Sequence, residues 1–163
     1  MAEAQTPAAE NASDSQLVQF GIDRIYVKDL SLENPGAPNS FQLTEQPQVE
    51  VGLRTRTEQV AADVYESVLT ITVTAKVGDR TLFLVEASQA GIFSIRGVAP
   101  DRLQPVIAVH CPAILFPYVR ETIADATMRA GYPPVHLAPI NFEALYAQQL
   151  GQAQQAPAAS SFN

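Results

Sequence analysis

Tryptophan is absent from this chain, cysteine occurs once and histidine only twice. A single cysteine, Cys111, excludes an intrachain disulfide and suits a reducing compartment. Metal sites need clustered Cys, His or carboxylates; His110 and Cys111 are the only close pair, and His136 stands alone in a Pro-rich connection. No Gly-Lys-Ser or Gly-Lys-Thr closes a glycine-rich loop, which argues against a P-loop nucleotidase. Positive charge is scarce too. Ten Lys plus Arg against seventeen Asp plus Glu give a net charge of -7. That balance offers no general positive field to DNA or RNA. It would instead attract basic polypeptide segments.

Two further absences bear on location. Met1 to Gln19 carries Glu3, Glu10 and Asp14 but no Lys or Arg, unlike a secretory signal or a mitochondrial presequence. The longest notable charge-free stretch, Leu103 to Val119, includes Gln104, His110 and three prolines. It falls short of the roughly 20 apolar residues that span a bilayer. A buried helix of a soluble, cytoplasmic protein without direct membrane insertion is therefore expected.

Catalytic pairs fare no better. Helical neighbours point about 100° apart, so His110 and Cys111 make an awkward base and nucleophile. A small buried thiol beside a kink is the expected role of Cys111. Asp63 with Glu66, and Glu121 with Asp125, read as solvated surface. No catalytic residue, cofactor or metal is expected.

What is present reads as one domain of 163 residues with flexible ends. Residues 1–18 and 151–163 hold little to bury and are expected to be disordered tails around a core at 19–150. Phe20–Leu32 forms a first strand whose imperfect alternation predicts a bend or bulge. Asn34 to Asn39 is a Pro/Gly loop. Val49, Val51 and Leu53 alternate with polar residues as in a half-exposed strand. Tyr65–Val77 and Arg80–Ile92 then form a hairpin through Gly78-Asp79, with Gly first as a type II′ turn prefers.

A regular ladder from that turn would set Val77 against Arg80, Ala75 against Leu82, Val73 against Leu84 and Ile71 against Glu86 on one face. Thr74 with Phe83, Thr72 with Val85 and Thr70 with Ala87 would make the other. Both faces would then carry apolar side chains, with the helices over the Val85 and Ala87 side and Leu84 and Glu86 facing outward beside Ile71 and Val73.

From Pro100 the period is helical. Pro112 should break or kink the run at Cys111, and the helix resumes through Tyr118–Met128 with Gly131 as its C-cap. Asn141 caps a final helix to Leu150, with Phe142, Leu145 and Tyr146 on its apolar side. The fold class is α+β. A four-stranded antiparallel sheet carries a long proline-kinked helix and a short C-terminal helix. One such layer cannot cover this much apolar surface, so self-association is expected; the alternative is a helix buried within a compact monomer.

The residues forming these elements closely resemble the SecB family of export chaperones of Gram-negative bacteria. The matching segments are Arg24–Ser31, Tyr65–Ala75, Gln89–Ile95, Cys111–Glu121 and Leu137–Leu145, which together span about residues 20–150. The resemblance implies a homotetramer built as a dimer of dimers, with helices sandwiched between sheets. It implies an ATP-independent holdase that keeps secretory precursors unfolded and passes them to the SecA motor. A general or dedicated holdase with another client set, an antitoxin for example, is the rival; a small α+β enzyme is a distant one. Asp29, Glu33, Leu84 and Glu86 match the positions that meet the zinc-binding tail of SecA. Phe41, Leu43, Phe142 and Tyr146 could line a client groove. Val85, Ala87, Gln89, Val106, Ile107 and Ile114 are expected at the oligomer interface. Glu45 stands where the family often has Trp in the segment Phe41–Pro47.

Overall fold

The computed structural model describes residues 17–155. The expected tails therefore fall largely outside the described residues, at 1–16 and 156–163. Four long strands form one antiparallel sheet: β1 (Gln19–Glu33), β2 (Gln48–Ala61), β3 (Val64–Val77) and β4 (Arg80–Arg96), in spatial order β1-β4-β3-β2. Both β1 and β2 are edges. The connection between them crosses the end of the sheet and includes a 3-10 turn at Asn39–Gln42.

The imperfect alternation of β1 has its predicted cause. Its pairing with β4 shifts between Ile22 and Arg24 and again between Val27 and Asp29. The Gly78-Asp79 turn also forms where expected, with Gly78 at φ 56°. The regular ladder drawn from it does not hold. Ala75 pairs with Phe83 and Lys76 with Thr81, so Leu82 is an extra, unpaired residue in β4. Its carbonyl accepts a hydrogen bond from the Gly36 N–H at 3.3 Å, and the Tyr132 hydroxyl oxygen lies 3.5 Å from it.

One inserted residue moves a whole side-chain set across the sheet. Beyond the bulge, Val73 pairs with Val85, Ile71 with Ala87 and Leu69 with Gln89. These six are buried, and five of them join the apolar core. Thr74, Thr72 and Thr70 pair with Leu84, Glu86 and Ser88. The expectation of two apolar faces is thus corrected. One face is almost wholly apolar, and the other is mostly threonine, serine and charge around Leu84, Val68 and Ile92.

The apolar face is covered by a continuous helical run: α1 (Pro100–Pro105), a π turn (Val106–His110) and α2 (Cys111–Arg129). The break or kink expected at Cys111 takes the form of that π turn within one long kinked helical run. Pro112 has no N–H to give, and the Cys111 N–H reaches back five residues to the Val106 carbonyl. The ladder widens by one residue and the helix continues. By length and composition the run Pro100–Arg129 could cross a membrane. Here Leu115, Val119, Ile123 and Ala126 are buried in the core that it shares with the sheet.

α2 ends as its sequence predicts. The Tyr132 N–H bonds to the Thr127 carbonyl at 3.2 Å and the Gly131 N–H to the Met128 carbonyl at 3.0 Å, the two bonds of a Schellman cap. Gly131 sits at φ 88°, and a Cβ there would lie 3.0 Å from the Phe41 ring. Asn141 caps α3 (Phe142–Gln155), its Oδ1 accepting from the Ala144 N–H at 2.9 Å. The helix runs five residues past the Leu150 boundary expected.

Candidate interaction surfaces

Directly paired residues share a sheet face. The pairings Asp29 with Ser88, Ser31 with Glu86 and Glu33 with Leu84 bring Asp29, Glu33, Leu84 and Glu86 together on the open face. Asp29 and Glu33 are exposed, while Leu84 and Glu86 are partly covered. The Glu86 carboxylate accepts a hydrogen bond from the Thr72 hydroxyl at 2.8 Å. The outward placement of Leu84 agrees with the sequence reading. Its expected neighbours do not: Ile71 and Val73, placed outside by the regular ladder, are fully buried beneath the helix.

The four aromatic and aliphatic client candidates divide into two places. Phe41 is 51% exposed and lies on Tyr132, ring centroids 5.3 Å apart, and Tyr132 in turn rests on Phe83 at 4.7 Å. The Tyr132 hydroxyl is held by Ser40 at 2.7 Å and donates to the Asn34 amide oxygen at 3.0 Å. Phe41 therefore stands on a braced shelf at the end of α2. Leu43 is half-buried against the core beside it in sequence. Phe142 is only 6% exposed and meets Phe116 edge-on at 6.1 Å. Phe116 and Gly131 are separated by about 22 Å of helix at roughly 1.5 Å per residue. Phe142 anchors the start of α3, and Tyr146 follows one turn later, half-buried.

Of the residues expected at an oligomer interface, Val85 (0%), Ala87 (1%) and Gln89 are buried within a single protomer. They have no surface to give to a second chain, because alternation along β4 turns them under α2. Ile107 is likewise buried, whereas Val106 and Ile114 are half-buried and open.

A charged cluster escaped sequence reading. Glu66, expected on the solvated surface, is only 8% exposed. It accepts a hydrogen bond from the Tyr26 hydroxyl, and its two oxygens take the Lys28 ammonium at 2.7 and 2.6 Å. Arg56 adds its charge at 3.9 Å and also faces Glu58 at 3.7 Å. Lys28 is the residue where β1 shifts register, so the bulge aims an extra cation at a buried carboxylate. Hydrogen bonds from Lys28, then Tyr26, hold the Glu66 carboxyl below its ordinary pKa despite its burial. The same carboxylate pushes the Tyr26 hydroxyl up to about 12. The available signal was parity: Glu66 shares a face with Val68 and Thr70, which is a sheet face and not a loop.

A carboxyl whose pKa is depressed by folding stabilises the native state above its unfolded value, and loses that effect as pH falls. Stability is expected to drop as pH falls from about 4.5, the ordinary Glu value. Glu66→Gln should start less stable at neutral pH and show a flatter acid limb in urea melts followed by circular dichroism from pH 6 to 3. Parallel acid limbs in the two proteins would place the acid sensitivity elsewhere.

No group of three or more His, Cys, Asp or Glu that could hold a metal lies among the described residues. Burial pushes the Cys111 thiol up to about 12, far from a reactive thiolate. A single sheet backed by apolar helices, with a charged open face and a braced aromatic shelf at one end, defines a polypeptide-binding protein.

Comparison with known proteins specifies it. Residues 13–153 match the family model described as preprotein translocase subunit SecB. The protein-export protein SecB of Methylobacillus flagellatus is 51% identical over 161 residues, covering 99% of each chain. That of Dechloromonas aromatica is 55% identical over 139 residues, covering 85% of this chain and 91% of its own. A SecB-like chaperone of Mycobacterium tuberculosis, solved with a peptide from an antitoxin, shares the fold at a TM-score of 0.63. It has 16% identity, and the match covers 74% of this chain and 90% of that one. The chain belongs to the SecB family. As a family member it is a cytoplasmic, non-catalytic holdase of protein export that binds unfolded secretory precursors.

Proposed function

We propose that the open sheet face carrying Asp29, Glu33, Leu84 and Glu86 receives the basic zinc-binding tail of SecA. Clients are held elsewhere, on the helical side and at the sheet end. The observation that supports this reading is the register of β1 on β4, which gathers three carboxylates around one half-covered leucine. Charge complementarity of that kind chiefly sets encounter rate and specificity. An unfolded client has no fixed shape, so its binder needs accessible apolar surface spread over length. Phe41, Leu43 and Tyr146 supply such surface, and Phe142 fastens α3 so that Tyr146 can act at its edge. The working assembly in this reading is a homotetramer, a dimer of dimers.

The decisive experiment is calorimetric titration with SecA and, separately, a refolding assay on a slow-folding precursor without ATP. Replacing Asp29 and Glu86 together by Lys should weaken SecA binding tenfold or more, and raised salt should weaken the unmodified pair by screening. Precursor refolding should be delayed at stoichiometric protein, equally for both versions. Unchanged SecA affinity in a folded double variant would move the docking site off this face.

A further inference from the structure

Beside the acidic residues, the same face holds a shallow depression of about 340 Å³ whose rim is basic. Lys28, Arg54 and Arg56 stand around it, Asp29 closes one side, and Val68, Thr70 and Ser88 form the floor. Such a concentration of cations is unusual on a chain of net charge -7. The cations are not equivalent. Lys28 is committed to Glu66, and Arg56 is shared between Glu66 and Glu58. Arg54 has no ion-pair partner among the described residues. The floor adds a donor. The hydroxyls of Thr70 and Ser88 lie 2.8 Å apart and bond to each other. Whichever of the two donates, the other keeps its own hydrogen free for a third partner.

We propose that this depression is a carboxylate site. It takes an acidic side chain of the same polypeptide whose basic residues lie on Asp29 and Glu86, with Arg54 gripping the carboxylate and a floor hydroxyl donating to it. The inference rests on the docking face proposed above and adds to it a requirement on the partner's sequence. Arg54 is the right residue for the task, since its planar fork matches a carboxylate bidentately. Geometry sets the spacing. Arg54, Thr70, Ser88 and Asp29 lie in one row across all four strands. Three strand spacings make about 14 Å, and an extended chain rises about 3.3 Å per residue. A partner segment laid across the sheet must therefore carry its acid about four residues from a base. That even spacing sends both side chains to one side of the segment. A uniformly basic segment would meet Asp29 well and leave Arg54 facing like charge, so the site selects against polybasic chains.

The test uses the full-length protein and calorimetric titration with two probes. One is the isolated zinc-binding tail of SecA, and the other is the same tail with every Asp and Glu changed to Asn or Gln. Arg54→Gln should weaken the unmodified tail about tenfold and leave affinity for the acid-free tail unchanged. Arg54→Lys should recover only part of the loss. Arg54 is exposed on an edge strand, and circular dichroism with light scattering checks that both variants keep fold and mass. Equal losses with both tails, or no loss with either, would overturn the carboxylate site while leaving the docking face standing. Absence of binding by either tail to the unmodified protein would remove both.

Discussion

Val73→Asp is expected to leave little or no folded protomer, whereas Thr74→Asp, at the next position of the same strand, leaves the fold intact. Val73 is completely buried between β3 and α2 and lies opposite Val85, which is equally buried. An aspartate there must either stay charged without a partner or take up a proton, and either course costs about 4 kcal/mol or more. A domain of this size has only about 5–15 kcal/mol in total. Thr74 lies on the open face beside Leu84 and Glu50. A carboxylate there remains hydrated, and repulsion from Glu50 is a surface effect of under about 1 kcal/mol. Urea denaturation followed by circular dichroism separates the two. Damage from Thr74→Asp with little from Val73→Asp would mean that the regular ladder without the Leu82 bulge is the true one.

That pair of substitutions also marks how far the sequence is legible. The hairpin turn is written locally, because Gly78 supplies the positive φ at no steric cost. The final helix is equally local, since Asn141 does its own capping. The bulge is not local. Leu82 is displaced from the ladder in a structure where its carbonyl meets Gly36 from the β1–β2 connection and Tyr132 from beyond α2. No pattern within β4 announces partners some 50 residues away. The error was confined to β3. Leu84 and Glu86 alternate with Val85 and Ala87 whatever strand they face, which is why the outward placement of the docking candidates held.

β2 is legible only in part, for a different reason. It is an edge strand of fourteen residues, exposed along nearly its whole length apart from Leu53. Alternation of apolar and polar residues appears only where one face is buried. Beyond Leu53, Arg54, Arg56 and Glu58 face outward with nothing apolar beneath them to mark the period. The resemblance to SecB pointed to the four acidic and apolar positions of the open face, but not to Lys28, Arg54 and Arg56 around the neighbouring depression. Only cross-strand register brings those residues into adjacent rows. Pro112 announces a break or kink in the helix but not the π turn that the kink takes. The Cys111 N–H bonds one residue further back than usual, and the break is absorbed.

The interface residues call for the second large substitution. Val106 and Ile114 line an apolar groove of about 370 Å³ together with Val18, Phe20, Val98 and His110. Ile22, Leu30 and Leu32 are exposed on the β1 edge. Apolar surface on this scale is uncommon on a protein that works alone, and the edge strand offers unpaired backbone groups besides. Ile114→Glu is therefore expected to dissociate the assembly without unfolding the chain. In a separated protomer the glutamate is half-exposed and can stay hydrated. Between packed chains it would be an unpaired buried charge, costing about 3–5 kcal/mol per copy. Light scattering across a dilution series should give about four times the 17.6 kDa chain mass for the unmodified protein. The variant should fall to two chains or one, with its far-ultraviolet spectrum retained. Leu84→Glu, on the opposite face of the sheet, should keep the full mass. A four-chain mass for Ile114→Glu at micromolar concentration would move the contact away from the helical groove, and a monomeric unmodified protein would remove the assembly altogether.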